Sequence, residues 1–186
     1  MKSNYEVIDN FLDEDYFNDL EIFFTNENLS VEPDSLLPWF FQPDIAHAKK
    51  HEKWEKDNTF YMTHQFYDRN VPMSPFYEKF IPLLNILKVK CLLRIKANLY
   101  PNTKKILEHA MHVDYDFRHS GAVLSINTCD GYTKLKDGTK IDSIRNRILL
   151  FDPSEEHCST TTTNVPARFN ININYIDERL LCLDSF

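Results

Sequence analysis

The 186 residues are enough for one domain with a sizeable core, and a content of 42% hydrophobic and 26% charged side chains is ordinary for a globular protein. Fourteen Phe and nine Tyr exclude disorder over most of the chain. A net charge of −7 without a basic stripe excludes nucleic acid as the expected partner, and no apolar run approaches the ~20 residues that cross a bilayer.

The four cysteines, Cys91, Cys129, Cys158 and Cys182, are scattered and form neither a CxxC pair nor a secreted disulfide framework. The opening Met-Lys-Ser-Asn-Tyr-Glu lacks the apolar region of a signal peptide, so a cytoplasmic protein without membrane contact is expected.

Asp13 can cap a first helix whose apolar positions Tyr16, Phe17, Leu20, Phe23 and Phe24 recur at helical spacing. The stretch from Asn26 to about Phe60 reads as irregular, with Pro33, Pro38 and Pro43. Its aromatic run Trp39-Phe40-Phe41 is either a lid over a substrate site or packing for the N-terminal segment. Ser74-Pro75 then opens a second helix with the stripe Phe76, Phe80, Leu83, Leu84 and Leu87, kinked or broken at Pro82. From Cys91 the period becomes two, with Leu92, Arg94, Lys96, Asn98 and Tyr100 on one face. Arg94 and Lys96 are expected on a solvated strand face. Further strands are expected over 121–128, 145–151 and 167–176, with turns at Asp130-Gly131 and Asp137-Gly138.

The last of these strands alternates Arg168, Asn170, Asn172 and Asn174 with Phe169, Ile171, Ile173 and Tyr175. Its polar face is either wet or the lining of a cavity. A wet face is the usual case for an alternating strand, but Asn is a poor strand former and solvent faces normally carry Lys, Glu and Thr, so the cavity stays open as the alternative. Val123, Ser125 and Asn127 form a similar face one strand earlier.

His112-Val113-Asp114 puts an imidazole and a carboxylate on the same side of an extended segment, where both can reach one cation. His157 follows the apolar run Ile148-Leu-Leu-Phe151 and an acidic turn. Two His and one carboxylate occupy one face of an octahedral ion and leave positions open for a chelating co-substrate and O₂. A closed zinc site would ask for four protein ligands. His109 is a rival ligand, ranked lower because no carboxylate stands two positions after it. His47, His51, His64 and His119 are expected at the surface or in loops, and Cys158 in packing.

The order His112-Val-Asp114, Leu124-Ser-Ile-Asn127, Gly131-Tyr-Thr133, Asn146-Arg-Ile-Leu-Leu-Phe-Asp152, His157-Cys158 and Arg168-Phe-Asn-Ile-Asn-Ile-Asn-Tyr175 resembles the 2-oxoglutarate/Fe(II)-dependent dioxygenases, in their prolyl-4-hydroxylase-like branch. The resemblance implies an α+β, mainly β chain: a double-stranded β-helix (jelly-roll, cupin-like) core with N-terminal helices packed against it. The resemblance covers a little under half of the chain; length and the order of the elements give the expected single domain over 1–186, divided into a helical and loop part (1–90), the jelly-roll core (91–178) and a C-terminal tail (179–186). His112, Asp114 and His157 would hold Fe(II), and Arg168 the far carboxylate of 2-oxoglutarate, with Tyr100, Thr133, Asn127 and Asn170 as further contacts. Prolyl hydroxylases commonly carry a Tyr where this chain has His109, so that Tyr's task passes to Tyr100 or His109 or is absent. The implied reaction is hydroxylation of an unactivated C–H bond in a peptide or small molecule, with succinate and CO₂ as co-products. Trp39 and His109 are the candidate substrate or lid residues. The alternatives are a cupin-like metalloenzyme that does not use 2-oxoglutarate, or a jelly-roll binding module without catalysis.

Overall fold

The computed structural model describes residues 4–25, 36–43 and 60–178. His47, His51, Cys182, the tail over 179–186 and most of the irregular stretch before Phe60 lie outside the described residues.

Asp13 caps the first helix, α1 (Glu14–Thr25), as expected: its carboxylate accepts from the backbone N–H groups of Asp15 and Tyr16. Phe17, Leu20 and Phe24 form the buried stripe. The second helical region divides before Pro82. A 3-10 turn (Tyr77–Phe80) gives way to α2 (Ile81–Ile86), which places Pro82 in the first turn, where a missing N–H costs nothing.

Between residues 4 and 90 the structure adds four strands to the expected helices: β1 (Tyr5–Ile8), β2 (Phe40–Gln42), β3 (Tyr61–Asp68) and β4 (Val71–Pro72). Beyond them come β5 (Cys91–Pro101), β6 (Ser120–Ser125), β7 (Tyr132–Leu135), β8 (Lys140–Asp142), β9 (Arg147–Phe151), β10 (His157–Ser159) and β11 (Ala167–Ile176). The larger sheet runs β1-β9-β6-β11-β5-β3-β2, with β4 on β3, and the smaller runs β10-β7-β8; every pairing is antiparallel. Isolated bridges Glu108↔Thr160 and His112↔His157 lay the segment after β5 along the free edge of β10. That segment acts as a fourth strand of the smaller sheet. Two facing four-strand layers, β5-β11-β6-β9 and this one, make the expected jelly roll, with extra strands widening the larger sheet.

The period-two pattern of β5 and β11 sorts side chains between two environments. Ile95, Ala97, Ile171, Ile173 and Tyr175 are buried with Phe17, Leu20, Phe24, Phe66, Phe80 and Leu83, so the main core lies between the helices and the outer face of the larger sheet. The opposite, polar set faces the smaller sheet. The Asn residues of β11 hold a strand despite their low propensity because β5 and β6 both hydrogen-bond to it, leaving no edge. Asp137-Gly138 turns between β7 and β8, with Gly138 at φ +88. Asp130-Gly131, expected as a similar turn, instead ties down the chain ahead of β11: the Asp130 carboxylate accepts from the hydroxyl of Thr162 and the backbone N–H of Thr163. Among the described residues no helix is long and apolar enough to cross a membrane.

Candidate metal and anion site

The polar face of the jelly roll encloses a cavity of about 450 Å³. Arg94, Lys96, Asn98 and Tyr100 reach it from β5, Asn170 and Asn172 from β11, and Thr133, His157 and Ser159 from the smaller sheet. The alternation was legible, but the expected solvated face for Arg94 and Lys96 is corrected. The smaller sheet covers that face, and β3 extends it sideways.

His112, Asp114 and His157 come together at the cavity, with one candidate ligand atom from each within 4.8 Å of the others. Reciprocal backbone bonds between His112 and His157, both 2.9 Å, clamp the two histidines side by side. The Nδ1 of His112 faces the Ala110 carbonyl at 3.2 Å, and that of His157 faces the Glu155 carbonyl at 3.0 Å. Both rings therefore carry the proton on Nδ1 and turn Nε2 as a lone-pair donor toward Asp114. This second contact commonly orients a ligating imidazole. Burial keeps both rings neutral, with His157 pushed down to about 4.

Asp114 is nearly buried, which by itself opposes ionisation, yet Arg94, His157 and Asn174 together hold its carboxyl well below the usual range. Arg94 pairs with its Oδ1 at 2.8 Å, while Asn174 and Asn172 donate to Oδ2 at 2.8 and 3.2 Å. Sequence reasoning missed this support from Arg94, Asn172 and Asn174. The unusual Asn run was its signal. His119, expected at the surface, is 1% exposed and contacts Asn174 at 3.1 Å; His64 is also buried, bridging Pro38 and Ser74. The donor set of two neutral imidazoles and one ionised carboxylate, held from behind, fits a divalent transition-metal ion with open positions.

Arg168 is 1% exposed and sits where Thr133, Tyr100 and Asn170 line the cavity. Its guanidinium donates to the Tyr132 and Thr160 carbonyls at 2.9 and 3.3 Å and to Thr133 Oγ1 at 3.1 Å, and lies 5.6 Å from the Tyr100 ring centre. Among the described residues its Nε has no hydrogen-bond partner. The acidic side chains Asp152 and Asp177 are engaged elsewhere. Asp152 faces Arg118 at 3.6 Å, and Asp177 accepts from Ser120 at 3.0 Å. A buried cation without a carboxylate partner is an anion-binding group in waiting.

Gly131 makes room for that guanidinium. A Cβ there would stand 2.7 Å from the Thr161 carbonyl and 2.8 Å from Arg168 Cδ. Gly131→Ala is therefore expected to displace Arg168 and cost about 1–3 kcal/mol, read as a lower Tm in thermal unfolding.

Three expected site residues lie elsewhere. Asn127 gives its amide to β11, donating to the Ala167 carbonyl and accepting from the Phe169 N–H, and does not line the cavity. Trp39 packs between Phe24 and Phe169 at 6.2 and 5.8 Å, so it belongs to the core rather than to a lid. His109 stays out of the three-ligand group; it bonds Ser159 Oγ at 2.8 Å and lies against Tyr100. Cys158 is buried, as expected.

Burial, then the charge of Arg168, push His109 down to about 3. A histidine whose folded pKa is depressed binds its proton more readily when unfolded. Stability contributed by His109 and His157 is thus complete above pH ~6.5 and lost as pH falls toward 3–4. The metal-free protein should lose roughly 1.4 kcal/mol per pH unit for each in that window, and His109→Gln should shallow the slope measured by urea unfolding.

No protein-family model matches this sequence, and no curated protein is similar to it. Solved structures are similar in fold. A prolyl hydroxylase from Trichoplax adhaerens, solved in complex with a hypoxia inducible factor oxygen degradation domain peptide fragment, aligns with TM-score 0.61 at 16% identity over 100% of this chain and 89% of its own. A Pseudomonas putida prolyl-4-hydroxylase aligns with TM-score 0.59 at 14% identity over 94% of each chain. A 2OG-Fe(II) oxygenase family oxidoreductase from Burkholderia pseudomallei aligns with TM-score 0.64 at 11% identity over 92% of this chain and 84% of its own. At such identities these likenesses establish the jelly-roll fold, and the site's residues must carry the chemistry.

Proposed function

We propose that this protein is an Fe(II)- and 2-oxoglutarate-dependent oxygenase that hydroxylates an unactivated C–H bond. The observation that carries the reading is an open three-ligand metal group at a cavity whose Thr133 and Tyr100 wall is backed by a buried guanidinium that has no acidic partner among the described residues. A dicarboxylate with a keto group beside one carboxylate suits both ends. A plain cupin-type metalloenzyme would need the metal group but not Arg168.

His112, Asp114 and His157 would hold Fe(II), which when bound supplies the activation of O₂. Arg168 would fix the far carboxylate of 2-oxoglutarate through its unpaired Nε and a re-aimed Nη, with Thr133, Tyr100 and Asn170 around it. Arg94, Asn172 and Asn174 keep Asp114 ionised and oriented, and His109 holds Tyr100 in place by ring contact. The covered cavity limits water. A peptide substrate, as in the Trichoplax complex, and a small molecule are both compatible with a cavity of this size.

The test is Fe(II)-dependent release of CO₂ from carboxyl-labelled 2-oxoglutarate with matching formation of succinate. Both should occur in the parent protein and vanish in Arg168→Leu. Metal-dependent consumption of O₂ without succinate would favour the cupin-type reading.

A further inference from the structure

Lys96 is a second cation of the same cavity that the reading above does not use. On β5 it stands between Arg94 and Asn98, opposite Gln65 of β3 and Asn172 of β11. All of these line the cavity, with Gln42 and Tyr61 closing the β2–β3 side. Its ammonium has no hydrogen bond or ion pair among the described residues; the Tyr61 ring lies 5.8 Å from Nζ to centroid, and Asp114 acts on it from a distance. Burial, then the charge of Arg94, push it down to about 8, so it remains largely protonated at neutral pH.

Charge makes the role of Lys96 specific. A divalent ion, Asp114, Arg168 and the two carboxylates of 2-oxoglutarate cancel. Among the described residues, Arg94 and Lys96 then remain as surplus positive charge. Asp68 acts on both from a distance, but it lies at the partly exposed end of β3 beside Arg69. Both carboxylates of the co-substrate are already placed, one at the ion and one at Arg168. A neutral substrate filling the cavity would strip water from Lys96 and give nothing back.

We propose that the substrate carries a carboxylate that pairs with Lys96 on the β3 side of the metal group; this rests on the oxygenase reading. Gln65 offers an amide donor on the strand beside Lys96, and Gln42 offers another in the same cavity, as a carboxylate requires. The site therefore selects an acid over its amide. A neutral prolyl peptide leaves the surplus charge unmet.

The test uses the protein loaded with Mn(II) and 2-oxoglutarate, with acetate as the carboxylate probe and acetamide as its neutral counterpart. Paramagnetic relaxation of the probe's methyl protons reports binding near the ion. Saturable acetate binding is expected in the parent, at least about tenfold weaker in Lys96→Met and largely restored in Lys96→Arg, with acetamide inert throughout. The dissociation constant of 2-oxoglutarate should stay within about twofold in Lys96→Met. Equal acetate binding in parent and Lys96→Met overturns the proposal, as does absence of saturable acetate binding in the parent. A Lys96→Met protein that loses 2-oxoglutarate rather than acetate assigns Lys96 to the co-substrate and overturns it too. Failure of 2-oxoglutarate to bind the Mn(II)-loaded parent would sink the oxygenase reading instead, a result seen separately from the acetate comparison.

Discussion

Arg168→Leu is expected to weaken 2-oxoglutarate binding by about a hundredfold or more while leaving the affinity for Fe(II) near that of the parent. The guanidinium is 1% exposed and no acidic side chain among the described residues neutralises it. A ligand carboxylate entering there meets a desolvated, charge-assisted donor. Without Arg168 that carboxylate is buried and unpaired, at a cost of roughly 3–5 kcal/mol. The Leu variant also strips the Tyr132 and Thr160 carbonyls of their donor, so a modest drop in Tm should accompany the lost affinity. Arg168→Lys keeps the charge but not the planar fork and should fall between parent and Leu. Isothermal titration with Fe(II), then with 2-oxoglutarate, separates the two affinities. Unchanged affinity for both in the Leu variant would make Arg168 a structural residue.

The metal group gives the second large effect, and its members should differ. His112→Ala and His157→Ala should abolish Fe(II) binding and leave unfolding close to that of the parent, because the core between helices and sheet does not include them. Asp114→Ala should abolish binding and also destabilise by roughly 3 kcal/mol, because Arg94 is left as an uncompensated, largely buried cation. Asp114→Asn, which retains a carbonyl acceptor, should recover part of the stability but not the metal. Metal titration and urea unfolding on the four variants check this. Equal unfolding of Asp114→Ala and His157→Ala would show that the Arg94–Asp114 pair contributes little.

The sequence shows the long strands and the metal group for concrete reasons. β11 reads clearly because its residues alternate from Ala167 to Tyr175, and its bounds are those expected. His112 and Asp114 are legible because one residue separates them on an extended segment. The short strands of the smaller sheet are not: β7, β8 and β10 have three or four residues each, too few for a period to show. β1 forms only by pairing with β9, a contact between distant parts of the chain. Arg94 and Lys96 were misplaced because a solvent face and a cavity face have the same period. What covers the strand decides between them, and the packing of the smaller sheet over it is a tertiary fact. Asn127 was misplaced for a related reason: an inward amide can serve a neighbouring backbone as well as a ligand.

The most direct measurement is an anaerobic titration of the metal-free protein with Fe(II) and then 2-oxoglutarate, followed by visible absorption. Chelation of the ion by keto and carboxylate oxygens, as in enzymes of this chemistry, gives a metal-to-ligand charge-transfer band. The account predicts a band that needs both additions, saturates stoichiometrically, and is absent in His157→Ala and shifted to far higher 2-oxoglutarate in Arg168→Leu. Bound Fe(II) with no band at saturating 2-oxoglutarate would contradict it.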